Sequence, residues 1–418
     1  MQKISLIVFS VLFLVIVTVQ AQEYSIVIKG GHVIDPKNSI DEIMDVAIND
    51  GKIARVAKVI DAKGAQQVVD AKGMIVTPGL IDIHGHVFFG TEHGNYLSNS
   101  FVALPPDGFT FRNGVTTIVD CGGAGWKSFP TFKKNVIENS KTRVLSFLNI
   151  VGEGMRGGAY EQNTSDMDAK LTASVANSNR QDIVGFKVAH FNGPEWTPVD
   201  RAVEAGELAN MPVIIDFGGN NPPLSIEELF MEHLRPGDIY THAYSELSGR
   251  ESGRESIVDV NTGKLRSFVV KARERGIIFD VGYGGASFDY RVALPAAESG
   301  FYPTTISTDL HTGSMNASMK GLLNVMSTFL TMGMDLTSVI TASTWSPAQA
   351  IQREELGHLS EGAVADITLL NIREGEFGFK DKNGYKLTGN QKLECEMTLR
   401  EGRIVYDLNG IATPVIVR

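Results

Sequence analysis

The 418-residue sequence has only two cysteines, Cys121 and Cys395, and after its first 21 residues it has no apolar stretch long enough to cross a membrane. It also lacks a basic excess, because 48 aspartates and glutamates outnumber 38 lysines and arginines and give a net charge of −10. This balance argues against nucleic acid or an anionic membrane surface as the main partner. A chain of this length can bury a core without disulfides, so we expect two separate buried thiols, although an oxidising compartment would allow them to pair.

The first 21 residues have the features of a secretory signal. Lys3 provides a positive start, residues 4–19 are almost unbroken apolar sequence, and Val19-Gln20-Ala21 resembles a signal-peptidase site. We therefore predict a signal peptide over residues 1–21 and an exported protein, periplasmic or secreted, after cleavage near Ala21. An uncleaved anchor is the alternative, but the apolar run is slightly short for a span, so no stable membrane anchor is expected.

The two ends of the mature chain share one pattern. Short alternating apolar segments are separated by turn signals such as Asn49-Asp50-Gly51-Lys52 near the start and Arg400-Glu401-Gly402-Arg403 near the end. Alternation with tight Gly-containing turns is typical of antiparallel strands. We predict one small β-sandwich domain formed by residues 22–77 together with residues 355–418.

The middle of the chain has a different rhythm, in which apolar strands alternate with helical stretches such as 199–209 and 226–233. This alternation predicts a parallel α/β architecture, a (β/α)8 TIM barrel over residues 78–354. The eight predicted strands are GLIDIHGH (79–86), TTIVDCG (116–122), RVLSFLNI (143–150), IVGFKVAH (183–190), MPVIIDFG (211–218), IYTHAYS (239–245), GIIFDVGYG (276–284) and PTTISTDLH (303–311).

Polar residues interrupt these apolar runs near their C-terminal ends, the rim where barrel active sites lie. Residues i and i+2 of a strand point to the same side, so His84 and His86 are expected to converge above the barrel mouth as half of a metal site. One buried His or Asp is more often a hydrogen-bonded core group, and an unpaired buried Lys is costly. The further candidate ligands on other strands, which favour a metal over that reading, are Lys187, Asp216, His242 and Asp309.

The motifs PGLIDIHGH, the strand lysine of GFKV, GDIYTHAYS, DVGYGGASF and TTISTDLHTG, in this order, resemble the amidohydrolase superfamily, and within it the dihydroorotase-like deacetylases. The resemblance covers essentially the whole mature chain. It implies a divalent metal, usually zinc with manganese or iron as alternatives, held by His84, His86 and Asp309. It also implies that Lys187 is a carboxylated lysine bridging to a second metal at His242.

The sequence departs from the family pattern at two positions. The family usually has a histidine at the fifth strand, where this chain has Asp216, and close relatives often have a histidine at the position of Tyr283. Aspartate can still ligate zinc or manganese through oxygen, which would make the second site harder and more anionic. Two metals are therefore expected, and the alternative is a weakened second site that leaves one.

The resemblance implies hydrolysis of an amide or ester bond by water activated on the metal, with Asp309 as the general base and then the general acid. Two alternatives remain: a cyclic amide hydrolase of dihydroorotase or hydantoinase type, and an exported barrel that binds a ligand without turnover. The expected partner is a small-molecule substrate, and a homo-oligomer is possible. Candidate substrate-binding residues are His190, Tyr283, Ser287, Arg156 and His311, whereas His93 is expected at the surface.

Overall fold

The computed structural model describes residues 24–90, 102–246 and 255–414, so the predicted signal peptide and His93 lie outside the described residues. The strands within these ranges are β1 (Ile26–Asp35), β2 (Ile40–Asn49), β3 (Lys52–Ala57), β4 (Gln67–Asp70), β5 (Ile75–Pro78), β6 (Leu80–Gly85), β7 (Val115–Gly125), β8 (Arg143–Asn149), β9 (Ile183–Val188), β10 (Val213–Ile215), β11 (Ile239–Tyr240), β12 (Val258–Asp259), β13 (Lys264–Leu265), β14 (Ile278–Phe279), β15 (Ile367–Lys380), β16 (Lys386–Arg400) and β17 (Arg403–Asp407).

The α-helices of the described ranges lie mainly between the barrel strands, and the helical predictions at 199–209 and 226–233 are confirmed. The second of these is α4 followed by a π-helical turn over Leu229–His233. The helices are α1 (Phe129–Phe132), α2 (Ala169–Ser178), α3 (Thr197–Ala209), α4 (Ile226–Glu228), α5 (Ser267–Glu274), α6 (Tyr290–Glu298), α7 (Leu322–Thr331), α8 (Leu336–Thr341) and α9 (Trp345–Ala350).

A curled parallel sheet with the order β14-β11-β10-β9-β8-β7-β6 forms the centre of the protein. The eighth predicted strand, residues 303–311, is not a regular strand, but its segment lies between the two edges of this sheet. Isolated parallel bridges join Leu310 to Gly85 and Thr305 to Asp280. The ring therefore closes, and the predicted (β/α)8 barrel is confirmed.

Apolar side chains on both faces of the barrel strands explain why this sheet is buried. Ile81, Val119 and Leu145 belong to a cluster that also includes residues of α9, while the alternate face packs against the surrounding helices. Burial on both faces is typical of parallel barrel strands and accounts for their nearly continuous apolar sequences. The polar residues that remain lie at the strand ends, where the backbone turns into loops.

The second sheet joins the two ends of the chain in the order β17-β16-β15-β5-β1-β2-β3, with β4 beside β1. The link is the antiparallel pairing of β15 with β5. Two predicted hairpin turns are confirmed, because Asp50 and Gly51 have φ of 47° and 74°, and Glu401 and Gly402 have φ of 51° and 72°. A small β domain from both chain ends is thus present, while its boundaries at residues 78 and 355 stay a prediction.

Both cysteines are buried and free, as predicted. In the described part of the chain, no helix has the length and apolar character that a membrane span requires.

Candidate functional site

The polar strand ends of the barrel surround a cavity of about 560 Å³. Most of the residues predicted to be functional line it, although they come from segments far apart in sequence. The lining residues are His84, His86, Val102, Met155, Lys187, His190, Asp216, Gly218, His242, Ser245, Gly285, Ala286, Ser287, Asp309, His311, Thr312 and Gly313.

The first group of donors, called here the β6 cluster, consists of His84, His86 and Asp309. The Oδ1 atom of Asp309 lies 2.9 Å from His86 Nε2 and 3.5 Å from His84 Nε2. All three residues are buried. The i, i+2 alternation along β6 therefore places both imidazoles on one side, as the sequence predicts.

The imidazole of His84 is oriented by a chain of buried polar groups behind it. Its Nδ1 donates to Thr241 Oγ1 at 2.8 Å, and this hydroxyl donates to Asp280 Oδ2 at 2.7 Å. Asp280 also accepts from the hydroxyls of Thr305 and Ser307. Because Nδ1 carries the proton in this arrangement, the lone pair of His84 Nε2 faces the cavity and is available to a metal.

The second group, called here the β10 cluster, consists of Asp216, His242 and His190. Asp216 Oδ2 lies 3.6 Å from His242 Nε2 and 3.6 Å from His190 Nε2. His242 Nδ1 donates to the carbonyl of Gly282 at 2.6 Å, which again leaves Nε2 facing the cavity. Asp216, the residue that departs from the family pattern, is thus placed where it can still contribute an oxygen.

Lys187 extends from β9 into the cavity and is only 1% exposed. Its Nζ has no hydrogen-bond partner among the described residues. A side chain at Gly122 would meet Lys187, since a Cβ there would lie 2.6 Å from Lys187 Cγ. A buried ammonium without a partner is strongly unfavourable, so this lysine requires either a counter-charge or a chemical change.

Burial and neighbouring charges set the ionisation of the β6 cluster. Burial, together with the nearby Lys187, lowers the pKa of His84 to about 3. Burial opposes ionisation of Asp309, but the imidazoles of His84 and His86 hold the pKa of its carboxyl well below the ordinary value. The structure therefore presents a neutral imidazole and a carboxylate at neutral pH, which are the forms that bind metal.

Three residues of the site have strained backbones. His190, His242 and Asp309 have φ of 54°, 55° and 52°, a left-handed conformation that is uncommon for residues other than glycine. Strain of this kind is found preferentially at functional sites, where the surrounding structure holds it in place. All three of these residues line the cavity.

Ser287 and His311 also line the cavity, in agreement with their predicted positions. His311 Nδ1 accepts the backbone N–H of Gly313 at 3.0 Å, and its Nε2 lies 3.8 Å from Asp309 Oδ2. Burial lowers the pKa of His311, although Asp309 acts in the opposite direction. The neutral ring therefore carries its proton on Nε2 and presents a donor to the cavity.

Two predicted substrate-binding residues are not among the described residues that line the cavity: the prediction for Tyr283 is wrong because its side chain is buried elsewhere, and the prediction for Arg156 stays untested. Tyr283 is 1% exposed, stacks on Phe288 and donates its hydroxyl to the Lys380 carbonyl at 2.5 Å. Its backbone lies between Gly282 and Gly284, both with positive φ, so strand alternation no longer fixes its direction. Arg156 lies over the ring of Tyr160 and 3.7 Å from the Glu153 carboxylate.

Sequence reasoning missed two buried carboxylates that orient the site. Glu161 accepts from His190 Nδ1 at 2.7 Å, and Asp280 anchors His84 through Thr241. A signal was available for Asp280, which interrupts the apolar strand GIIFDVGYG as Asp216 interrupts MPVIIDFG. Glu161 lies in a segment without periodicity, and only the tertiary structure shows its role.

The donor set fits a divalent metal. Donor atoms of His84, His242 and Asp309 all lie within 4.8 Å of one another, and the three residues are buried. Imidazole nitrogens with a carboxylate oxygen are a common ligand set for zinc. Lys187 lines the same cavity, and its Nζ has no hydrogen-bond partner within the described ranges. This is a second indication that a further group binds here.

Comparison with known proteins identifies relatives of this chain by sequence and by structure. A model of the amidohydrolase family matches residues 287–405. A deacetylase of Brucella anthropi is 33% identical over 354 residues, which cover 82% of this chain and 83% of that relative. A crystal structure of an adenine deaminase has a TM-score of 0.81 and 26% identity, covering 92% of this chain and all of that one. A dihydroorotase structure has a TM-score of 0.77 and 27% identity, covering 91% and 99%.

Proposed function

Because this chain belongs to the amidohydrolase family and is a metal-dependent hydrolase acting on carbon–nitrogen bonds, we propose that it removes an acyl group from a small amide or ester in the manner of a deacetylase. The observation that carries the proposal is the convergence of five imidazoles, two carboxylates and one unpartnered lysine on a single cavity. The Brucella anthropi relative named a deacetylase supports the choice of acyl substrates.

The proposed centre holds two divalent ions. The β6 cluster would hold the first, while Asp216 and His242 would hold the second. Such ions supply Lewis acidity toward a carbonyl oxygen and toward water. Zinc suits these ligands, and manganese or iron are the alternatives, because Asp216 gives the second position a harder oxygen ligand than an imidazole.

Lys187 is proposed to be carboxylated. Its neutral amine would attack carbon dioxide, a nitrogen–carbon bond would form, and the displaced proton would pass to solvent. The product would be an anionic carbamate that could supply oxygen ligands to the metal centre, whereas a charged ammonium has no lone pair to offer. Its burial without a hydrogen-bond partner supports this change, since the carbamate would acquire cationic partners.

Asp309 is the proposed general base and then the general acid. Its depressed pKa keeps the carboxylate ionised at neutral pH, ready to accept a proton. Oδ1 faces His84 and His86, while Oδ2 lies beside Gly284, where any side chain would collide with it. We assign proton transfer to Oδ2, which would take the proton of the attacking water and return it to the leaving nitrogen or oxygen.

Of the residues predicted to bind substrate, Ser287, His311 and His190 line the cavity and could contact substrate or support the centre. A volume of about 560 Å³ suits a small molecule and not a folded protein chain. The donor on His311 Nε2 and the hydroxyl of Ser287 would orient polar groups of that molecule.

A cyclic amide hydrolase is the second candidate, favoured by the likeness to a dihydroorotase structure over 91% of this chain. Opening a cyclic amide requires the same centre and proton transfer, so the two candidates differ in substrate only. A barrel that binds ligand without turnover is the third.

Purified mature protein, loaded with zinc or manganese, tests these candidates together. We expect near two metals per chain and hydrolysis within a panel of N-acetyl amino acids, acetyl esters, dihydroorotate and hydantoins. Turnover of cyclic amides alone would favour the second candidate. A metal-free and inert protein would overturn the proposal and leave the third.

Export and assembly complete the proposal. We propose cleavage near Ala21 and a periplasmic or secreted location, which the N-terminal sequence of protein recovered from cells would test. A homo-oligomer is also proposed, and light scattering of the mature protein measures it.

A further inference from the structure

The β10 cluster contains a histidine with no assigned part in the proposed centre. His190 follows β9 by two residues, and its Nε2 lies 3.6 Å from Asp216 Oδ2. The same oxygen lies 3.6 Å from His242 Nε2. Asp216 Oδ2 is therefore placed between two imidazole nitrogens, as Asp309 Oδ1 is in the β6 cluster.

Each of these two separations, from Asp216 to His190 and from Asp216 to His242, is compatible with a pair of ligand atoms on one ion. Two ligand atoms that each lie about 2.0–2.1 Å from a tetrahedral zinc are about 3.3 Å apart. A separation of 3.6 Å is close to that value, yet longer than a hydrogen bond between nitrogen and oxygen. The distances in the β10 cluster thus resemble those around an ion more than those of a hydrogen-bonded pair.

The contacts of His190 engage its Nδ1 and leave its Nε2 available in the cavity. Its Nδ1 donates to Glu161 Oε2 at 2.7 Å, and the other oxygen of Glu161 accepts the backbone N–H of Gly157 at 2.8 Å. Glu161 is 1% exposed, so a carboxylate has been buried to hold this ring. A histidine whose Nδ1 is bound by a carboxylate, with Nε2 toward the metal, is a recurring arrangement in metal sites.

The loop that carries His190 is fixed as well. Gln162 Nε2 donates to the His190 carbonyl at 2.8 Å, and Gln162 Oε1 accepts the backbone N–H of Asn192 at 3.0 Å. These contacts hold the left-handed backbone of His190, with φ of 54°. The ring is half exposed, because it faces the open cavity.

We infer that His190 is a ligand of the second ion, together with Asp216 and His242, and that Glu161 positions its ring. The inference rests on the proposed two-metal centre. It gives the second position three side-chain donors of its own, two nitrogens and one oxygen, before any contribution from Lys187. Four donors are the usual number at zinc, and Asp216 with His242 alone would fall well short.

The test measures metal retention by chelator competition and elemental analysis, with zinc and without any activity assay. His190→Ala should retain the first ion and weaken the second on the order of 100-fold or more, whereas Glu161→Gln should weaken it about 10- to 100-fold, the usual effect of removing an outer-shell partner. The half-exposed ring leaves room for a replacement, so added imidazole should restore the second ion in His190→Gly. Restoration by imidazole would not follow from a purely structural role.

His311→Ala is the matched control, because His311 lines the same cavity but uses Nδ1 to accept the Gly313 N–H and keeps a proton on Nε2. It should retain both ions. If wild-type protein binds fewer than two ions, the proposed centre fails first. If it binds two, but His190→Ala keeps an unchanged second dissociation constant or His311→Ala loses as much, the inference alone is overturned.

Discussion

In the β6 cluster, His84, His86 and Asp309 are buried, and the oxygen-to-nitrogen distances are 2.9 and 3.5 Å. In the β10 cluster both distances are 3.6 Å, and His190 is half exposed on a loop. Both clusters place one carboxylate oxygen between two imidazole nitrogens. They differ in burial, since all three donors of the first cluster are buried whereas His190 of the second is half exposed.

This difference has a physical consequence for metal binding. Donors that are buried on all sides keep their positions without a metal, so less ordering remains to be done when the ion binds. The β10 cluster depends on a loop fixed by Glu161 and Gln162, and its cavity side is open. We therefore expect the second ion to exchange more readily than the first.

The largest expected effect comes from Lys187→Ala, because Lys187 is proposed to bridge the two clusters. Metal content should fall from near two ions per chain to one or fewer, and turnover should fall to the level of metal-free protein. Elemental analysis and a turnover assay on the same preparation check this. Lys133→Ala is the control, since Lys133 pairs with Asp182 away from the cavity. If wild-type protein binds one ion per chain and Lys187→Ala binds the same amount, only one of the two clusters holds a metal.

The two carboxylates give the second test. Asp309→Asn should keep most of its metal and lose turnover by about 10²- to 10⁴-fold, the usual contribution of a positioned proton-transfer group. Asp216→Asn should instead lose affinity for the second ion. Metal titrations and kcat values of both variants separate these effects. Retained turnover in Asp309→Asn would remove that residue from proton transfer, and identical metal profiles would show that the clusters do not differ.

Asp280 gives the third test, because it supports the β6 cluster from behind. Although burial opposes it, the nearby His84 imidazole and the hydrogen bonds from Thr305 and Thr241 hold the pKa of Asp280 below its ordinary value. Asp280→Asn should weaken the first ion about 10- to 100-fold and lower the free energy of unfolding by about 1–3 kcal/mol. Asp238→Asn is the control, since Asp238 is buried but accepts from Val213 and Arg235, near the start of β10. It should lose stability and keep its metal affinity.

The strand ends were the part of the site that could be predicted from sequence. Alternation along β6 places His84 and His86 together, and the apolar runs place Lys187, Asp216 and His242 at one rim. Parallel strands bring their carboxyl ends to one edge, so the position follows from the pattern alone. The same reasoning predicted the barrel and the hairpin turns, because both depend on local periodicity and turn residues.

Contacts between loops could not be predicted in this way. Glu161 meets His190 across 29 residues, through a loop whose path has no periodic signal. Tyr283 was misplaced for a related reason, since β14 ends at Phe279 and the glycines that follow turn the chain. Pairing across loops depends on tertiary packing, which the pattern of one segment does not contain.

The decrease of the free energy of unfolding at acidic pH gives a fourth test, which uses metal-free protein. The pKa of His84 is lowered to about 3, chiefly by burial, whereas an unfolded histidine titrates near 6.5. Between these values the unfolded chain binds a proton that the folded chain does not, so this group makes stability fall as the pH decreases from about 6.5 to about 3. One proton corresponds to a slope of about 1.4 kcal/mol per pH unit. Urea unfolding of wild type and His84→Gln from pH 7.5 to 4.5 should show a shallower slope in the variant, and equal slopes would contradict a neutral His84.

The smallest expected effect is at Tyr283, which does not line the cavity. Its hydroxyl donates to the Lys380 carbonyl on β15, so Tyr283→Phe should cost about 0.5–1.5 kcal/mol of unfolding free energy. Because the ring is buried against Phe288, the KM for any substrate should not change. Ser287→Ala is its counterpart, since Ser287 lines the cavity and should change KM with little effect on stability. If Tyr283→Phe instead changes KM and leaves the free energy of unfolding unchanged, Tyr283 contacts substrate. The substrate site would then extend beyond the two clusters.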